Sequence, residues 1–244
     1  MQELWASIEE WFIAFGQEFH RNFLVDGRYL WLLDGLKNTL LMTLFASLIG
    51  IVIGLFVSII RVLKQSGAKV GILDKLAGIY ITVIRGTPVM IQILIINFVI
   101  FASVRVSKLL VASLAFGINS GAYAAEIFRS GIQSVDTGQM EAARSLGLPY
   151  SKSMRYVILP QAVRNVLPAL FNEFITLVKE TSISGYIAFT DLTRAGENIR
   201  TLTFSAQPLI MVALIYLVVV MIMTRILKMM ERSLQRSDRN QPSS

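Results

Sequence analysis

No cysteine occurs in the chain, which excludes a disulfide framework, a thiolate metal site and a cysteine nucleophile. There is one histidine, His20, set among polar residues near the start. A lone imidazole lacks the partners that a metal centre or a catalytic triad requires. No GxxxxGK[ST] phosphate loop, GxSxG nucleophile turn or His/Glu metal spacing is present. The acidic residues in apolar surroundings, Glu126, Glu173 and Glu180, are too scattered for a catalytic pair. Charge itself is scarce: 16% of the 244 residues, where soluble domains carry about 25%. What fills the chain instead is apolar, 54% of residues, with a mean hydropathy of +0.60. These absences and this excess predict an all-α integral membrane protein without an active site of its own.

Residues 1–34 begin acidic (Glu3, Glu9, Glu10) and lack an unbroken apolar core, so they do not read as a signal peptide. Leu4, Ile8, Phe12, Phe15 and Phe19 recur at helical spacing among Glu and Gln. Trp5, Trp11, Tyr29 and Trp31 add aromatic amphipathic groups. This predicts an extracytoplasmic helix in the membrane interface, turning at Asp26-Gly27. A solvated helix packed on protein is the other reading.

Five spans follow, at about 36–62, 76–103, 109–128, 166–187 and 207–227. In the first, Ala46, Gly50, Gly54 and Ser58 fall at successive i+4 positions and offer a small-residue face to a neighbouring helix. The second contains Arg85, Gly86, Thr87 and Pro88, then Gln92 and Asn97. Pro88 removes a helical hydrogen bond and frees a carbonyl one turn back, which is tolerated in a bilayer only against protein or water. The kink is either structural or functional on this reading. In the third, Asn119, Tyr123 and Glu126 share a face that should look into the bundle. The fourth is the most polar, with Asn172, Glu173, Thr176, Lys179, Glu180, Thr181 and Ser182, and loosens at Ser184-Gly185. Its charges mark a functional site, or else a buried Lys179–Glu pair that sets register. The fifth is almost wholly aliphatic and leads to a basic tail, 233–244.

Lys and Arg gather after the first span, in 129–165 and in the tail, whereas the N-terminal segment is acidic. Positive-inside reasoning puts the N-terminus outside and the C-terminus in the cytoplasm. The net charge of +7 is then a topology signal spread over one membrane face, which argues against a nucleic-acid partner.

The central polar stretch, Glu141 to Pro160, has helical composition to Arg144, a break at Gly147-Leu148-Pro149, and a second helical pattern through Met154, Val157 and Ile158. Two short helices at a Gly-Pro turn make a cytoplasmic knob for a soluble partner, or an ordinary inter-helix loop. Glu141-Ala142-Ala143, then Gly147, Val157 and Leu159-Pro160 at their spacing resemble the EAA loop of bacterial ABC importer membrane subunits. Val157 stands where that family usually has Ile. Arg85-Gly86-Thr87-Pro88 with Gln92, Gly121-Ala122-Tyr123 with Glu126 to Arg129, Leu159 to Arg164, and Lys179 to Ser182 are similar to the polar amino-acid uptake permeases. The resemblance runs from about residue 35 to 232.

The resemblance implies a type I ABC importer permease in a bacterial cell membrane. Two such subunits, identical or siblings, would form the pore. Two ATPase subunits, carrying ATP and Mg, would each receive an EAA loop, while this chain binds no cofactor. An extracytoplasmic binding protein would deliver a polar amino acid. Glu141, Ala142, Ala143, Gly147, Leu159 and Pro160 would form the coupling site, with Glu141 offering a carboxylate to a partner cation. A zwitterion needs both an anion and a cation along its path. Asn119, Tyr123, Glu173, Thr176, Lys179, Glu180 and Thr181, with Gln92 opposite, would line it. An ATP-independent carrier or channel for small polar solutes is the alternative, though five spans without an internal repeat fit it poorly.

Overall fold

The computed structural model describes residues 13–65 and 67–239, and all regular structure among them is helical. The predicted N-terminal helix begins, for the described part, at residue 13. Leu4, Trp5, Ile8, Trp11 and Phe12 lie outside the described residues. We label residues 13–24 α1, which closes in a wider π-turn at His20–Leu24. Asp26 and Gly27 have φ of 55° and 63°, forming the expected turn. Phe19 and Phe23, with ring centroids 4.9 Å apart, pack towards Leu32, Leu192, Ile199 and Val212, while Ile13, Phe15 and Leu24 stay exposed. One face of the described helix thus packs on protein, and the other carries exposed apolar side chains.

α2 (Tyr29–Gln65) starts seven residues before the predicted span. α5 (Lys108–Gln133) runs parallel to it in close contact, the small-residue face of α2 meeting Gly117 to Ala125. A Cβ on Gly50 would stand 3.0 Å from Ser120 Cβ, and one on Gly54 2.6 Å from Ala124 Cβ. Ala46 and Ser58, at the same i+4 spacing, are buried. This approach of backbones places α5 at the centre of the bundle. Its Val111, Ala112, Ala115 and Phe116 join Met42, Ile93 and Leu177 in the main core.

Between these parallel helices the chain must return, and it does so through two helices. α3 (Gly71–Gly86) ends before an extended Thr87, and α4 (Val89–Ile95) starts from Pro88 and widens into a π-turn at Ile96–Ile100. The two axes meet at a bend of 108°. Proline thus breaks the predicted second span instead of kinking it, because Thr87, the residue before it, is pushed out of the helical region.

α6 (Thr137–Ser145) is short. α7 (Tyr150–Ser153) passes through a π-turn at Met154–Ile158 directly into α8 (Leu159–Glu180). Pro160 therefore lies within a continuous run of helix; the wider turn before it accommodates a residue that has no N–H to give. α8 tightens at Thr181–Ile187, three residues before the Ser184-Gly185 position that the sequence suggests. α9 (Leu192–Thr203) turns Leu192, Ala195, Gly196 and Ile199 inward. α10 (Gln207–Arg239) continues helical well past residue 227, and 240–244 lie outside the described residues.

Taken singly, Tyr29–Lys64, Lys108–Gln133 and Gln207–Leu234 are long and apolar enough to cross a membrane, and the bent α3–α4 pair would make a fourth. α8 is too polar to qualify by composition. α10 leaves Ile210, Leu214, Leu217, Val218, Met221 and Ile222 exposed along its length, as a lipid-facing helix should.

Candidate functional site

Three features carry the polar residues singled out in the sequence. The first is the projection formed by α6 and α7. Asp136 caps α6, its Oδ1 accepting from Gly138 N at 2.8 Å. The helix ends where Gly147 takes φ 84°. Leu148 N donates to Ala143 O at 3.2 Å and Gly147 N to Arg144 O at 3.0 Å, a Schellman closure that needs a left-handed residue at this position. Pro149 then starts α7, its carbonyl accepting from Ser153 N. Ala143 is turned inward and buried, whereas Glu141, Ala142, Arg144, Gly147, Leu159 and Pro160 are exposed and Leu146 is 85% exposed. Ile132, Val135, Met154, Val157, Ile158 and Ala162 fasten the projection to the ends of α5 and α8. A cavity of about 580 Å³ opens beside it, lined by Asp136, Tyr156, Pro160 and Arg164 among others.

The second feature is the α3–α4 break. The carbonyl freed by Pro88 is that of Ile84, and Gln92 Nε2 donates to it at 2.7 Å. The same amide nitrogen reaches Thr87 O at 3.0 Å and Thr87 Oγ1 at 2.7 Å. Thr87 Oγ1 in turn donates to Val83 O at 2.8 Å. Gln92 Oε1 accepts from Asn119 Nδ2 of α5 at 2.9 Å. Arg85 lies 3.9 Å from Glu126 and over the Tyr123 ring at 5.3 Å, while Arg129 holds the same Glu126 at 2.6 Å. Arg85, Gly86, Thr87 and Pro88 thus belong to a bracket fixed to α5, and Gln92, Asn119 and Tyr123 belong to the bracket too. Sequence reasoning placed these last three along a solute path. The signal that ties them to the break is the spacing of Gln92 from Pro88, one helical turn on.

The third feature is α8. Glu173 Oε1 accepts from Ser120 Oγ of α5 at 3.0 Å, and Thr176 Oγ1 turns back onto Asn172 O at 3.1 Å. Thr181 is fully buried, donating to Val178 O at 2.8 Å with Thr43 Oγ1 at 3.4 Å. Asn172 and Lys179 are exposed, Thr176 and Glu180 half-buried. Lys179 makes no ion pair among the described residues, so the buried Lys179–Glu pair is not formed. Asn172, Thr176 and Lys179, at i, i+4 and i+7, form one open polar stripe.

Sequence reasoning missed α9 and its anchoring. Asp191 is buried and caps α9 through Thr193 N and Arg194 N, each at 3.1 Å. Burial pushes its carboxyl above the ordinary value, opposed by those N–H groups. Thr39 Oγ1 of α2 accepts from Leu192 N at 3.1 Å, and Asn38 Nδ2 donates to Thr190 O at 2.9 Å. The signal was the spacing of Leu192, Ala195, Gly196 and Ile199 behind an Asp. No cluster of three or more metal-ligating side chains occurs among the described residues.

Residues 50–236 match the family described as binding-protein-dependent transport system inner membrane component. The chain is 37% identical over 210 residues to the arginine transport system permease protein ArtQ of Bacillus subtilis, covering 85% of this chain and 94% of that one. It is 36% identical over 208 residues to the glutamine transport system permease protein GlnP of Escherichia coli K12, covering 84% and 93%. Among solved structures, an amino acid ABC transporter with histidines aligns at TM-score 0.80 and 41% identity over 86% of this chain and 98% of its own. The inward-facing MetNI methionine transporter aligns at TM-score 0.71 and 22% identity, over 84% and 97%, and speaks for the fold alone. The helical bundle has the type I ABC permease fold, and in this family ATP hydrolysis belongs to a separate subunit. The chain belongs to the inner-membrane permease components of binding-protein-dependent transport systems.

Proposed function

We propose that this chain is the pore subunit of an ATP-driven importer of polar amino acids in a bacterial cell membrane. The observation that carries the reading is the open stripe of Asn172, Thr176 and Lys179 on α8. A lysine on a membrane-spanning helix is expensive against lipid, so this face requires protein or water. A second permease subunit, the same chain or a sibling, covers it and leaves a polar path between the two copies. Glu173, Thr176, Lys179 and Glu180 line that path, supplying carboxylates for an ammonium and a cation for a carboxylate. Gln92, Asn119, Tyr123 and Thr181 hold its walls. The relatives named for arginine and glutamine transport support the amino-acid class.

In this reading α2, the α3–α4 pair, α5, α8 and α10 are five spans. The N-terminus is outside, and the projection of α6 and α7 and the C-terminus are cytoplasmic. Residues 1–34 form an interfacial extracytoplasmic segment, 35–232 the permease domain with its coupling loop at 129–165, and 233–244 the tail. The exposed tip, with Glu141, Ala142 and Leu146 outermost, enters a groove of each of two ATPase subunits, which hold ATP and Mg. Gly147 shapes that tip, Ala143 seats it, and Leu159 and Pro160 join it to α8. An extracytoplasmic binding protein delivers the solute. ATP-driven closure of the ATPase pair carries the projections together and rocks the packed helices from inward to outward opening.

Glu141→Ala in transporter reconstituted with its ATPase and binding protein tests the coupling. Uptake per ATP hydrolysed is expected to fall about tenfold, the worth of one charge-assisted hydrogen bond, with insertion unchanged. Normal coupling would remove the projection from the mechanism.

A further inference from the structure

Beyond the solute path, a chamber of about 410 Å³ lies between the C-terminal end of α2, the start of α3 and the last third of α5. Arg61, Lys64, Asp74, Glu126 and Arg129 line it. Both carboxylates are already engaged. Asp74 accepts from Arg61 at 3.2 Å, and Glu126 serves Arg129 at 2.6 Å as well as Arg85 at 3.9 Å. Lys64 is left without an ion pair among the described residues. Three cationic side chains then stand against two carboxylates, and an excess of like charge around a partly enclosed space costs free energy. An oxyanion with two or more acceptor oxygens removes that cost.

We propose that this chamber binds a phosphate-bearing anion, bridged by the Arg61 and Lys64 side chains. The Lys64 ammonium and the outer end of the Arg61 guanidinium donate to its oxygens, and Arg129 adds field. The surroundings suit a lipid headgroup. Ile72, Leu73 and Leu76 at the head of α3 are 78%, 50% and 57% exposed, an apolar surface for acyl chains beside the charged chamber. Lys69 and Lys75 add positive charge to the same end of the bundle. Free inorganic phosphate has the same donor requirement. The site is independent of which solute is carried.

The test uses the full chain in nanodiscs of mixed phosphatidylglycerol and phosphatidylcholine, released for native mass spectrometry. A phosphatidylglycerol headgroup source gives retained phosphatidylglycerol, in preference to phosphatidylcholine. Retention falls about tenfold in Lys64→Gln and further when Arg61→Gln is added. A free phosphate source gives instead a thermal shift with inorganic phosphate in phosphatidylcholine discs, lost in the same variants. Lys64→Gln keeps the Arg61–Asp74 pair, so its result stands even if the double variant fails to fold. No selective retention and no phosphate shift, or either effect surviving both substitutions, overturns the proposal.

Discussion

Gln92 does with one amide what a helix interior does with its backbone. Its nitrogen covers the carbonyl that Pro88 leaves open, and its oxygen ties that repair to Asn119. Gln92→Leu should therefore strand the Ile84 carbonyl and the Asn119 amide together. The stranded Asn119 amide is buried and costs about 1–3 kcal/mol, the partly buried Ile84 carbonyl less, to be read as a lower melting temperature in detergent with membrane insertion retained. Gly147 is different in kind: nothing lies within 4 Å of where a Cβ would point, yet φ is 84°. Gly147→Ala meets no clash and should still cost about 1 kcal/mol from backbone conformation alone, loosening the projection and lowering uptake per ATP. Asp191 carries a pH signature. Its folded value lies above its unfolded one, so its contribution is fully present below the unfolded value and is lost as pH rises through the folded one. Asp191→Asn keeps a capping oxygen and should flatten the thermal-stability profile over that window, whereas Asp191→Ala flattens it equally and loses the cap as well, costing about 1–2 kcal/mol relative to Asp191→Asn at any pH.

At the scale of elements, what could be read from the residues followed the regularity of the signal. The small-residue face of α2 repeats every four residues, and its close partner helix followed from that repeat. The Gly-Pro turn of the projection was legible because Gly147 takes the left-handed conformation at little cost and Pro149 fixes φ where the next helix begins. Helix limits were less legible. α2 and α10 continue beyond their apolar stretches because nothing in the flanking residues stops a helix. The α3–α4 bend depends on the proline, but its size depends on Gln92, Asn119 and Arg85, residues whose meeting is tertiary. The path residues divide for the same reason. Side chains on one helix face were grouped by period, and only packing decides which of them bond to a neighbour and which stay open.

The whole molecule leaves one face of α8 unfinished, and the missing cysteine makes that easy to examine. Asn172→Cys would be the sole thiol in the chain. Mild oxidation of such transporter in membranes should give a permease-to-permease dimer for a homodimeric pore, or a cross-link to a sibling bearing a matching cysteine. Failure of both would mean that something other than a second permease covers the stripe. A different consequence follows from the unbroken run of helix from Tyr150 through the π-turn to Glu180. Some 30 residues of helix form a rod of about 45 Å, and Val166 wedges against Gly131 partway along it. Pro168 removes one backbone hydrogen bond just beyond that fulcrum, which makes it the place where the rod can bend. In the proposed reading, a swing of about 10° there moves Lys179, roughly 16 Å beyond, sideways by about 3 Å, enough to part or close the polar faces of two paired copies.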